Sequence, residues 1–259
     1  MKKLSILFAI LFCSSVFANG IDDNCPKFVV HGAPVSSITT NDQYLCKTNY
    51  AIHYRNDVKG PEYVVEHLTL ESIKGTAGRK DDFRVDPEVP KQFQAQLSDY
   101  TKTGYDRGHL APAADNSQSP EIMSESFFLS NMMPQAPNLN RGVWKNLETL
   151  IRTWASDKDY DIYVITGTIF DAGYKTIGEN KVGVPTRTFK VIINNKNWKM
   201  IGFMFPNNIG TTIGALDYAK YAVSIYEIEL ATGIDFSPKL PKSDTNETKK
   251  PELTYWKGL

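Results

Sequence analysis

One short stretch of the chain combines an acid, a guanidinium and an imidazole. Asp106, Arg107 and His109 surround a glycine there, and a loop-forming sequence follows. A neutral imidazole can take a proton from water, and a guanidinium can hold an anion such as a phosphate. An exposed Asp106–Arg107 ion pair would be a sufficient structural explanation of those two residues, so we assign Asp106 a structural role. For His53 and His67, which fall in predicted strands, we expect hydrogen-bonded structural roles.

The helix predicted after this stretch carries two groups that can bind a cation. Asn140 and Glu148 are eight residues apart in the sequence. In a helix that spacing puts them on one side and about 12 Å apart along the axis, too far for both to ligate one ion directly. A hard cation on the amide oxygen of Asn140, with Glu148 reaching it through a water, fits better, and Mg²⁺ usually keeps several waters. Asn140 also stands where a helix N-cap is expected, but capping alone leaves Glu148 and the upstream Asn131 unexplained.

These segments resemble the DNA/RNA non-specific endonuclease family, which includes endonuclease G and exported bacterial nucleases. The resemblance rests on residues 105–112, 129–135 and 138–140, with Trp144 and Glu148, and it extends over about residues 49–240. It implies a ββα-metal motif, in which a hairpin carries the catalytic histidine and a helix carries the metal-binding asparagine.

The resemblance also implies roles for particular residues. His109 would be the general base, and Asn140 would bind Mg²⁺, or Mn²⁺ in its place, with Glu148 acting through a water. Arg107 would stabilise the transition state or the product phosphate, and Asn131 would position the histidine region or the phosphate. An upstream arginine completes the site. We choose Arg79, although Arg84 is close and the length of the loop leaves both open.

The implied substrates are DNA and RNA, cut without strong sequence preference to leave 5′-phosphate ends. Two alternatives stay open: a catalytically degenerate module that only binds nucleic acid or a partner, and a metal phosphodiesterase or phosphatase acting on small substrates. A homodimer is also left open. The formal net charge of +0 does not demand a nucleic-acid partner, but it allows a local basic cleft. Candidates for that cleft are Lys80, Arg84, Lys91, Lys102 and Arg141.

The hydrophobic pattern around these residues predicts one α+β domain with a central antiparallel sheet flanked by helices. Apolar residues three and four apart predict a helix over 140–154 whose Trp144, Leu147 and Trp154 belong to the core. A second helix is predicted over 216–230, before Gly233, and a short one over 121–128. The predicted strands cover 50–54, 63–68, 161–167, 189–194 and 199–205, and residues 74–104 are predicted to form a long surface loop.

The two ends of the chain carry separate predictions. Lys2 and Lys3 before an apolar run predict a signal peptide over residues 1–18, and therefore an exported protein, periplasmic or secreted, with no membrane anchor after cleavage. Cleavage leaves 27 basic against 29 acidic residues. It also leaves Cys25 and Cys46, which we expect to form a disulfide in an N-terminal extension, residues 19–48. The C-terminal tail, residues 241–259, is predicted to be extended or mobile.

Overall fold

Seven antiparallel strands form the central sheet of the computed structural model, which describes residues 21, 25–29, 32–37, 42–157, 160–209, 218–240 and 251–259. The predicted signal peptide lies outside the described residues. The sheet order is β12-β11-β10-β7-β4-β3-β2. These strands are β2 (Gln43–Cys46), β3 (Tyr50–Arg55), β4 (Gly60–Leu68), β7 (Ile162–Ile169), β10 (Arg187–Asn194), β11 (Met200–Pro206) and β12 (Ala222–Val223).

The strands predicted from the sequence are all present in this sheet. β7, at its centre, is buried along its whole length because both faces of the sheet are covered. A strand covered on both faces has a nearly continuous apolar sequence, as β7 does, rather than an alternating one.

Short paired strands and helices complete the described part of the fold, together with several single 3-10 turns. The paired short strands are β1 (Val35–Ser36) with β13 (Ile234–Asp235), β5 (Asp106–His109) with β6 (Met132–Gln135), and β8 (Thr176–Ile177) with β9 (Val182–Gly183). The helices are α1 (Pro120–Glu125), α2 (Pro137–Leu139), a π-helical turn (Asn140–Trp144), α3 (Lys145–Ala155) and α4 (Ile225–Thr232). Among the described helices, none is both long and apolar enough to cross a bilayer.

Two predicted helix starts are wrong. Asn140 is not an N-cap: the helix begins at Pro137, and Asn140 has helical backbone angles. Proline is well suited to a first helical turn because its missing N–H would have had no partner there. The helix predicted over 216–230 begins only at Ile225, where Ser224 and Glu227 form a capping box. It ends as predicted at Gly233, which has a φ of 71° that glycine adopts without strain.

α3 covers one face of the sheet and supplies much of the larger core. Trp144, Leu147, Ile151 and Trp154 are almost completely buried there, as the apolar stripe predicts. On the opposite face, α4 and the segment around Phe28 cover the sheet. The helix that bears the candidate metal ligands is therefore held firmly against the sheet.

The N-terminal segment is fixed to the edge of the sheet by the predicted disulfide. Cys25 and Cys46 are bonded, with their Cα atoms 5.5 Å apart. Cys46 ends β2, the edge strand. Closing a loop of this length stabilises the folded chain by about 3 kcal/mol in the chain-entropy model.

The prediction of an extended tail is wrong for residues 251–259, which pack against the C-terminal end of α3. Trp256 is only 1% exposed, and its ring lies 4.8 Å from that of Trp154. The indole nitrogen of Trp154 donates to the Lys257 carbonyl, and the Tyr160 hydroxyl donates to that of Tyr255. The polar composition of the tail suggested mobility, but the tail contains one buried aromatic residue, Trp256, which anchors it.

Replacing Trp256 by alanine should lower the free energy of unfolding by about 3–5 kcal/mol, because it empties a large buried volume at the end of α3. Urea unfolding followed by fluorescence measures the loss. Tyr226→Ala is a matched control, since Tyr226 is 47% exposed and should cost about 0.5 kcal/mol or less. Equal losses in the two variants would contradict the packing role of the tail.

His53 has the structural role that its strand position predicts. Its Nδ1 lies 2.6 Å from Glu62 and its Nε2 lies 3.2 Å from Asp42, and its ring stacks on Tyr44. Burial by itself lowers the pKa of His53, but hydrogen bonds and charge from Asp42 and Glu62 outweigh burial and raise it. His67 is likewise held by a carboxylate, that of Asp161, at 2.5 Å.

Because the folded pKa of His53 is raised, its stabilising contribution should be complete below the unfolded pKa of about 6.5. It should be lost as pH rises through the folded pKa. The stability difference between wild type and His53→Gln should therefore be larger at pH 6 than at pH 9 in urea unfolding. Ile228→Val, in the same core, should cost the same at both pH values. A His53→Gln difference that does not change with pH would refute this assignment.

Candidate active site

The β5–β6 hairpin and the helix that follows it bring the predicted site residues together. In the antiparallel hairpin Asp106 faces Gln135, and His109 faces Met132. The helical segments from Pro137 to Ala155 begin two residues after β6 ends. The predicted ββα arrangement is therefore present, with His109 at the end of β5 and Asn140 in the first turns of the helix.

Asp106 fixes the orientation of the Asn140 side chain. The Asn140 amide nitrogen donates to Asp106 Oδ2 at 2.8 Å, and Arg141 binds the same carboxylate through two nitrogens at 2.8 and 2.6 Å. Burial alone would raise the pKa of Asp106, but the hydrogen bonds from Arg141 and Asn140 lower it. An ionised Asp106 accepts only, so the amide must present its nitrogen there and leave its oxygen free.

A π-helical turn separates Asn140 from the regular helix. It runs from Asn140 to Trp144, and Gly142 within it has non-helical backbone angles (φ −105°, ψ −117°). Single π-turns of this kind occur frequently at functional sites, because they re-aim side chains within a helix. Glu148 follows one turn into α3.

The imidazole of His109 is kept neutral by its surroundings. It is part-exposed, with Nε2 buried and without a hydrogen-bond partner, so Nδ1 is the nitrogen that water can reach. Burial, followed by the positive charges of Arg79 and Arg107, lowers the pKa of His109 to about 3. A neutral imidazole with one open nitrogen can act as a general base.

Arg107 and Asn131 have different positions relative to this imidazole. The Arg107 guanidinium lies 4.2 Å over the Phe83 ring and, within the described part of the chain, makes no ion pair. Asn131 is completely buried and bonds both the N–H and the carbonyl of Ala111, two residues after His109. It therefore positions the histidine segment, and of the two predicted roles only this one suits a buried side chain.

Residues 31–243 match the family described as DNA/RNA non-specific endonuclease. The chain belongs to this family. It is 34% identical over 222 residues to the mitochondrial nuclease EXOG of Danio rerio, a match covering 77% of this chain and 62% of that protein. It is 34% identical over 212 residues to human mitochondrial endonuclease G, covering 76% and 70%. It is also 34% identical over 220 residues to nuclease C1 of Cunninghamella echinulata, covering 79% and 86%.

The fold agrees with that of a solved family member. The chain matches the crystal structure of the EndoG/EndoGI complex with a TM-score of 0.74 at 28% identity. The match covers 86% of this chain and 96% of that one. The α+β fold with a large antiparallel sheet is thus that of the endonuclease family.

Of the two upstream arginines that sequence reasoning left open, the structure brings Arg79 to the imidazole. Its guanidinium lies 5.1 Å over Phe127, a ring that also contacts His109. Arg84 instead bonds Asp82 and the Ser124 carbonyl and stacks on a neighbouring ring. Arg84 is paired with Asp82 and Arg141 with Asp106, and Arg79 is likewise paired with Asp81 at 2.8 Å.

Sequence reasoning missed a cluster of buried charges beneath Glu148. Lys190 donates to Thr166 on the neighbouring strand at 2.8 Å, and Arg152 pairs with Asp115 at 2.8 Å. Burial raises the pKa of Glu148 to about 7, with Lys190 lowering it and Asp115 raising it. Lys190 and Asp115 come from distant strand and loop segments, so no local spacing could have connected them with the helix.

Proposed function

We propose that the chain is an exported, Mg²⁺-dependent endonuclease that hydrolyses phosphodiester bonds of DNA and RNA without strong sequence preference. The observation that carries this proposal is the hairpin–helix geometry. It puts a neutral imidazole, an arginine free of ion pairs and an oriented amide oxygen on adjoining elements. Membership of the endonuclease family supports it.

The donors present suit a hard cation. The Asn140 oxygen is not engaged in any hydrogen bond within the described residues, because Asp106 holds the amide nitrogen. Asn140 would hold Mg²⁺ directly and Glu148 would hold one of its waters, a sparse oxygen set of the kind this ion accepts. When bound, the ion would stabilise charge on a phosphate oxygen and on the leaving 3′-oxygen.

The chain's own residues would move the protons. His109 Nδ1 takes a proton from the attacking water, whose oxygen bonds to phosphorus as the bond to the 3′-oxygen breaks. Glu148 would orient the water that can supply the proton of the leaving oxygen. Arg79 and Arg107 hold the phosphate, and its negative charge offsets theirs, so the basicity of His109 rises when substrate binds. The products carry a 5′-phosphate and a 3′-hydroxyl.

A cleft beside the hairpin favours a polymer over a small ester. It has a volume of about 560 Å³ and adjoins Tyr105, the residue before Asp106. Tyr174 and Lys175 also line it, and among the described lining residues none is acidic. A neutral-to-basic cleft beside β5 and β6 can receive backbone of a polymer whose scissile phosphate lies at the site. Contacts with phosphate and sugar carry no sequence information, which agrees with a non-specific enzyme.

The test is a comparison of a closed circular plasmid, a structured RNA and a small nitrophenyl phosphodiester under the same conditions with Mg²⁺. We expect cleavage of both polymers at rates far above that of the small ester, and new ends that accept label only after phosphatase treatment. Preferential hydrolysis of the small ester would favour a phosphodiesterase of small substrates. Binding of polymers without cleavage would favour a degenerate nuclease.

Export can be tested separately from activity. The mature chain should begin at Asn19 in the periplasmic fraction or the culture medium, as read by N-terminal sequencing. A full-length chain retained in the cytoplasm would contradict export and would leave the proposed reaction unaffected.

A further inference from the structure

Two phenylalanine rings enclose the His109 imidazole. Phe127 meets it at 4.9 Å and 90°, and Phe83 lies 5.6 Å away at 59°. The two phenyl rings also contact each other, at 4.9 Å and 86°. Phe127 is completely buried, and Phe83 is partly buried in the same small cluster. His109 Nε2 is buried and has no nitrogen or oxygen partner, where a catalytic imidazole usually has a hydrogen-bond acceptor.

The same two rings also contact the guanidinium groups of two arginines. Arg107 lies 4.2 Å over Phe83, and Arg79 lies 5.1 Å over Phe127. A guanidinium over an aromatic face is attracted by the ring electrons, which favours one arrangement of a long side chain. Both guanidinium groups thus lie over the rings that contact the imidazole. One aromatic pair therefore contacts His109, Arg79 and Arg107.

We propose that Phe83 and Phe127 are positioning residues, which set the orientation of His109, Arg79 and Arg107 around one phosphodiester. The proposal rests on the function proposed above. Because both rings contact the imidazole, they restrict its rotation and keep Nδ1 directed to the open side. Because Nε2 is buried, the imidazole resists protonation before substrate arrives. Within the described residues, the charged groups acting on it are the two arginines.

Phe127→Leu tests this role, with Phe236→Leu as the matched control. Phe236 is equally buried, makes a similar ring contact with Phe189 at 5.3 Å and 63°, and lies in the core on the opposite face of the sheet. We expect Phe127→Leu to lower kcat on plasmid at least about tenfold with KM within about threefold, because small misplacements of a reacting group are costly. The control should keep wild-type kcat. Phe83→Leu, at a partly exposed position, should show the same kcat loss and is the variant to use if Phe127→Leu does not fold.

A second readout does not depend on catalysis. Imidazole NMR of the metal-free protein should show the pKa of His109 well below its usual range in wild type and in Phe236→Leu. It should show a rise toward that range in Phe127→Leu, because water reaches the ring. An unchanged kcat, or an unchanged His109 titration, in a folded Phe127→Leu would overturn the proposal. If wild type cleaves no polymer, the proposed function fails, and the NMR titration still decides whether the rings control the imidazole.

Discussion

His109→Ala should lower kcat on DNA and RNA by about a thousandfold or more, the range expected for loss of general-base catalysis together with its coupled groups. The imidazole is the only neutral base that the structure places beside Arg79 and Arg107 among the described residues. Metal binding should persist, because Asn140 is untouched.

Kinetics on a circular plasmid with saturating Mg²⁺ measure this loss, and His67→Ala is the control. His67 lies on the far side of the sheet, paired with Asp161 and stacked on Tyr163. The His67→Ala variant should keep kcat within about threefold of wild type, because substitutions far from a functional site usually have small effects. A His109→Ala variant within tenfold of wild type would mean that another group is the base.

Asn140→Ala should abolish metal-supported cleavage by removing the side chain that we propose as the direct protein ligand of the ion. Changing a group that merely orients a ligand typically costs 10- to 100-fold in metal affinity, and losing the ligand itself should cost about 100-fold or more. Asp106→Asn should weaken metal binding by about 10- to 100-fold, the cost of losing a group that orients a ligand. An asparagine there can no longer hold the Asn140 amide in one orientation, since it donates as well as accepts.

Mn²⁺ titration by calorimetry, together with the Mg²⁺ dependence of cleavage, separates these variants. Thr149→Ala, on the exposed face of α3, is the control and should bind metal as wild type does. If Asn140→Ala binds Mn²⁺ with wild-type affinity, the ion sits elsewhere and the helix has only a structural role. If Asp106→Asn behaves as wild type, the 2.8 Å contact with Asn140 does not orient the ligand.

Local patterns were sufficient for most of the fold. The apolar run of β7 and the three- and four-residue spacing of α3 predicted elements that the structure contains, because both patterns follow from which faces are buried. The boundaries were less well predicted. Asn140 suits an N-cap, yet Pro137 starts the helix three residues earlier, and the tail proved to be anchored by Trp256.

The polar residues of the candidate site could be predicted from the sequence, but the aromatic residues that support them could not. His109, Arg107 and Asn140 stand out by type and spacing, whereas Phe83 and Phe127 look like ordinary core residues in sequence. The link from Asp106 to Asn140 spans 34 residues, and only the pairing of β5 with β6 brings the two elements together. The choice of Arg79 over Arg84 also depended on tertiary contacts, since both arginines lie in one irregular loop.

Residues 19–259 should be incubated with closed circular plasmid and with structured RNA, each with Mg²⁺ and with chelator. We expect nicking and then fragmentation of both polymers with Mg²⁺, and intact polymers with chelator. Intact plasmid and RNA in the presence of Mg²⁺ would contradict the proposed Mg²⁺-dependent endonuclease.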